Sequence, residues 1–107
     1  MRSQEEILSK VPFRKTMYPG IYMTRMKIGK TEGTIIWSPN EDGWEHVSFS
    51  PSNYSKMPSW EEMCELKDLF WDDEEEVIQI HPKKSEYVNI RENCLHLWRH
   101  PETQLPS

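Results

Sequence analysis

Three short stretches of this chain carry chemically able side chains at strand spacing. They are His46-Val47-Ser48, Gln79-Ile80-His81 and Cys94-Leu95-His96-Leu97-Trp98. Successive residues of a β-strand point to opposite faces, so residues two apart share a face. On that rule Val47 with Phe49, Ile78 with Ile80, and Leu95 with Leu97 make an aliphatic face. The other face collects His46 and Ser48, then Val77, Gln79 and His81, then Cys94, His96 and Trp98. A plain solvent face is filled with Lys, Glu, Thr and Arg, whereas this one offers neutral donors, acceptors and a stacking surface. It is expected to bind a ligand, provided the three strands are neighbours. The competing expectation is that the N-terminal segment or a second subunit covers it and the histidines simply satisfy hydrogen bonds. Tyr87, Asn89 and Arg99 would rim the site. Tyr87 and Trp98, with Trp44, would stack a planar group, Arg99 would meet an anionic one, and Asn89 would hydrogen-bond.

Other chemistries fit the same residues less well. Cys94-x-His96 puts two metal-ligand types on one face, with His100 beyond, but no second pair has a zinc-type spacing, so no metal is expected. No GxSxG elbow marks a nucleophile, and the scattered glycines make no phosphate loop. His46-Val47-Ser48-Phe49 resembles one half of the paired histidine-x-hydroxyl motif of the two-histidine phosphoesterases, in which each histidine is acid or base on a phosphodiester. His96-Leu97-Trp98 would be the second half, with Trp in place of the hydroxyl. A small phosphodiester-cleaving enzyme using His46 and His96 is therefore the catalytic alternative. Otherwise no catalytic residue and no cofactor are expected.

The elements that must hold these residues follow from local pattern. Ile21 to Ile28 alternates and predicts a strand, and Gly29 to Gly33 a turn. Thr34 to Trp37 predicts a second strand, Ser38 to Gly43 a loop, and Trp44 to Phe49 a third strand. Ser59-Trp60-Glu61-Glu62 fits a capping box, predicting a helix from about Trp60 to Trp71. Trp60, Met63, Cys64, Phe70 and Trp71 fall on one arc of it, with Lys67 inside that arc either snorkelling or aimed at an anion. Asp72 to Glu76 opposes the helix dipole and reads as a solvated turn. Val77 to His81 and Cys94 to Arg99 predict the last two strands, with Lys83 to Asn93 as a loop. The order βββαββ implies an α+β domain: a mostly antiparallel five-stranded sheet with one main helix packed on one face. Residues 1–15 read as a partly ordered segment in which Ile7, Leu8, Val11 and Phe13 dock one helical turn ended by Pro12; 16–100 is the single domain and 101–107 a tail.

Composition narrows the function classes. The chain has 107 residues, 36% hydrophobic and 29% charged, enough for one small core. Five Trp, four Tyr and three Phe argue against a disordered chain. The net charge of −5 disfavours a nucleic-acid backbone as partner. There is no run of about 18 apolar residues to cross a membrane, and the N-terminus has no apolar signal region. Two Cys without a CxxC motif point to free thiols in a reducing cytoplasm.

Trp44-Glu45-His46-Val47-Ser48, Pro58-Ser59-Trp60-Glu61-Glu62-Met63-Cys64 and Lys67-Asp68-Leu69-Phe70-Trp71 form one block of pattern. His81-Pro82, Ser85-Glu86-Tyr87-Val88-Asn89 and Cys94-Leu95-His96-Leu97-Trp98-Arg99 form another. Over roughly residues 37–101 the chain resembles a family of small proteins carried by bacteriophages and prophages. The resemblance implies a bacterial host cytoplasm and no particular reaction. In that setting the expected role is a non-catalytic binding or inhibitory module. It would counter a host defence system by sequestering a nucleotide-like ligand, one form being a homo-oligomer that holds the ligand between subunits. The other expectation is an acidic inhibitor that binds a host protein directly.

Overall fold

A computed structural model describes residues 1–52, 57–80 and 94–101, with only the backbone at 79 and 80. The elements are α1 (Gln4–Lys10), β1 (Arg14–Lys15), β2 (Tyr22–Ile28), β3 (Thr31–Glu41), β4 (Trp44–Pro51), α2 (Trp60–Phe70), β5 (Ile78–Ile80) and β6 (Leu95–Arg99). The strands form one sheet in the order β1-β2-β3-β4-β6-β5, every neighbouring pair antiparallel. This is the α+β architecture that the pattern predicts, with a two-residue strand added at one edge and a second helix at the N-terminus.

Two tight turns explain why the meander is longer than the alternation suggests. Gly29 takes φ of +59°, so β2 turns into β3 through Gly29 and Lys30 alone, and Thr31 to Gly33 belong to the strand. A Cβ at Gly29 would overlap the Glu62 carboxylate, so the turn seats against the start of α2. Asp42 and Gly43 take φ of +53° and +87°, the two left-handed positions of a two-residue hairpin turn. The expected loop from Ser38 to Gly43 is therefore mostly strand.

The helices and the N-terminal segment cover one face. Ile35, Trp37, Val47, Phe49, Leu95 and Leu97 point from the sheet into a core closed by Ile7 of α1 and by Met63, Leu66 and Phe70 of α2. Phe13 joins it, its ring 5.2 Å from that of Trp37. Each fully buried apolar side chain contributes about 2 kcal/mol. The capping box is formed: the Ser59 hydroxyl accepts from the Glu62 amide at 3.2 Å, and the Ser59 amide donates to Glu62 Oε1 at 3.0 Å. The helix is rotated from the expected arc. Leu66 is fully buried, while Trp60 is 50% exposed. Inward packing belongs to the 63/66/70 spacing, and Trp60 at the first turn lies off it.

Candidate functional site

On the face away from the helices the sheet brings its histidines together. Strand β6 lies between β4 and β5, so the three chemistry-bearing strands are neighbours. In the β4–β6 register Ser48 stands opposite His96, and His46 opposite Trp98. Four of the expected site residues, His46, Ser48, His96 and Trp98, thus share one patch. The His46 and Trp98 rings stack at 3.7 Å and 14°. His46 Nε2 lies 2.9 Å from His96 Nδ1.

The residue that organises the pair is Glu41, which the sequence pattern did not single out. Its Oε2 lies 3.0 Å from His46 Nδ1. Ser38 stands opposite His46, but Glu41 stands opposite Trp44. Three steps along β3 therefore match two along β4, which is a β-bulge. The extra residue flips the alternation and turns Glu41 onto the histidine face. Pro39 within this stretch is the sequence signal for it, because proline inside a strand marks a bulge or an edge.

The electrostatics follow from burial. His46 and Ser48 are buried at the centre of the sheet. Desolvation, reinforced by His96, pushes the His46 imidazole down to about 4. Desolvation also lowers His96, against an upward pull from Glu41. Both rings are therefore neutral near pH 7. The Glu41 carboxylate accepts the Nδ1–H of His46, which leaves His46 Nε2 as an acceptor for His96 Nδ1–H. The result is a donor chain running from His96 through His46 to Glu41, with both nitrogens of His46 engaged.

Beside this chain lies a groove of about 430 Å³, lined among the described residues by Glu41, Asp42, Trp44, Ile78 and Trp98. The Trp44 and Trp98 rings meet edge to face, 6.1 Å apart at 87°. Edge-on contact with His100, 4.9 Å between centroids, steadies Trp44 from another side.

Two expected members of the site lie elsewhere. Gln79 pairs with Leu97, and Ile78 and Ile80 pair with Trp98 and His96. The register thus puts Gln79 in the Leu97 row and Ile78 beside Trp98, the reverse of the expected assignment. Val77, packed partly against the core, sets this alternation. Arg99 stands opposite Glu45, one residue out of phase with Trp98, and so belongs to the helix side. Its Nη1 lies 3.0 Å from Glu45 Oε1 and 3.3 Å from Glu75 Oε2, at 13% exposure. The Met1 amino group also meets Glu75 and Glu45, and Trp71 Nε1 donates to Glu45 Oε1 at 3.3 Å. Arg99 is thus an internal counter-ion, and Glu75 of the acidic run is half-buried rather than simply solvated. His81, Tyr87 and Asn89 lie outside the described residues.

The N-terminal segment does not cover the histidine face, since Ile7 and Phe13 pack on the helix side. Cys64 and Cys94 are free thiols, and among the described residues no three His, Cys, Asp or Glu side chains are arranged to hold a metal ion. No helix of the described residues is long and apolar enough to cross a membrane.

A family model described as a domain of unknown function (DUF7694) matches residues 36–102. That span holds β4 through β6 and every described residue of the patch and groove. Neither the curated proteins nor the solved structures contain a match.

Proposed function

The chain belongs to the DUF7694 family, and we propose that it acts as a non-catalytic binding module through the Trp44–Trp98 groove and the histidine chain behind it. The observation that carries this reading is the stack of His46 on Trp98, which holds one wall of an open, mainly apolar groove in a fixed orientation. Rigid aromatic walls with a few placed polar groups are what a small binding site requires. The resemblance to phage and prophage proteins makes a component of the bacterial host the expected target, and an inhibitory role against host defence the biological form of that binding.

The phosphodiesterase alternative fits the geometry less well. An acid and a base acting on one phosphodiester stand on either side of it. Here the two histidines are bonded to each other at 2.9 Å, with no space for a phosphate between them. A nucleotide-like ligand would place its base against Trp98 or Trp44. Arg99, expected to meet its phosphate, is occupied on the other side of the sheet.

The test is native mass spectrometry of the protein purified from bacterial cytosol, then denaturation and identification of what is released. The expected result is an intact small molecule, or a co-purifying host protein, that is absent from a Trp98→Ala variant with an unchanged amide spectrum. Hydrolysis of bis(p-nitrophenyl) phosphate that disappears in His96→Ala would instead make the protein an enzyme and overturn the reading.

A further inference from the structure

The groove carries more information than its shape. Its charged lining residues, among those described, are Glu41 and Asp42, both carboxylates. Its aromatic walls stand nearly perpendicular, presenting indole surface from two directions. The electron-rich face of an indole attracts cations, and it attracts them best when water is partly excluded. A phosphate entering the same space would meet two negative charges. Ile78, 54% exposed, adds an apolar wall against which an aliphatic stem can lie. Behind Trp98 the His46 ring, kept neutral by its burial beside His96, contributes no opposing positive charge.

We propose that this groove receives the guanidinium of an arginine side chain presented by a partner protein. The assignment rests on the binding-module reading and names its ligand class. Guanidinium is planar, so it stacks on an indole. It carries its donors in a fork that matches a carboxylate, and it is more weakly hydrated than an ammonium. Glu41 Oε2 is engaged by His46, so Asp42 and the second oxygen of Glu41 supply the acceptors. The net charge of −5 favours approach of a basic partner surface.

The probe is N-acetylarginine methylamide, titrated against ¹⁵N-labelled protein while the five indole N–H signals are followed. Its citrulline counterpart has the same shape without the charge. The expected result is saturable shifts of the Trp44 and Trp98 signals with the arginine compound. The citrulline compound should bind about tenfold more weakly, the scale of one cation–π contact. Asp42→Asn should weaken the arginine compound several-fold. Asparagine tolerates the positive φ at this position, so the hairpin persists and the amide spectrum checks it. Equal binding of the two compounds, or an Asp42→Asn protein that binds as well as the parent, overturns the assignment. Adenosine monophosphate in a parallel titration separates the two levels of inference. If it moves the two indoles and the arginine compound does not, the module stands and the arginine assignment falls. If neither probe moves them, both fall.

Discussion

At the scale of single residues, His46 is the most constrained group of the site. It is stacked on Trp98, bonded to His96 and bonded to Glu41. Titration of the histidine ring signals by NMR should give a His46 midpoint near 4 and a His96 midpoint below the usual value. Glu41 pulls His96 upward, so Glu41→Gln should move the His96 midpoint further down. An unchanged His96 midpoint in this variant would show that the carboxylate does not act on the pair. On the other side of the sheet, Arg99 and the Met1 amino group together neutralise Glu45 and Glu75 at low exposure. Arg99→Met leaves two carboxylates short of a counter-ion, and denaturant unfolding should show a loss of about 3 kcal/mol. An essentially unchanged stability would mean that solvent reaches the network and that Arg99 is dispensable to it.

Among the elements, α2 and the β3–β4 hairpin place the site. The helix anchors the aliphatic face through Met63, Leu66 and Phe70, which fixes which way the opposite face of each strand points. Leu66→Ala should cost about 3 kcal/mol as a cavity opens under the helix. Trp60→Ala should cost under about 1 kcal/mol, because half of that ring already meets solvent. The reverse order would mean that the helix sits in the rotation suggested by the Trp60–Cys64 arc. The bulge between Ser38 and Glu41 does a different job. It leaves the strand pairing almost intact and changes which face Glu41 occupies, so one extra residue completes the histidine chain.

For the whole molecule, the neutral histidine pair couples stability to pH. His46 has a folded value near 4 against an ordinary 6.5, so between those values the unfolded chain binds more protons than the folded one. Stability from this group is complete above about pH 6.5 and is lost as the pH falls toward 4. His96 is shifted in the same direction and adds to the effect. The melting temperature should therefore fall as the pH drops from 7 to 5, and a His46→Gln, His96→Gln double variant should show a flatter dependence over that interval. A double variant with the same slope as the parent would assign the dependence to other groups. The molecule separates its tasks between two faces of one sheet. The helices, the N-terminal segment and the Arg99 network stabilise one face, and the aromatic groove lies at the other.

Much of this was determined by the sequence alone, because the signals are local. The capping box at Ser59 and Glu62 needs four residues, and the alternation in β4 and β6 needs five. These were enough to put His46, Ser48, His96 and Trp98 on one face. Tertiary structure decided whatever depends on pairing. Strand β5 is three residues long, with isoleucines at both ends, so its own pattern fits either face. Only its register against β6 put Ile78 beside Trp98 and Gln79 beside Leu97. Arg99 follows Trp98 directly, yet a one-residue step in a strand crosses the sheet, so its partners became Glu45 and Glu75. Glu41 lies five residues from His46 in a stretch that reads as loop, and a bulge was needed to turn it onto the same face. Residue types set what the site can do, and the pairing of strands distant in sequence selected which of them meet.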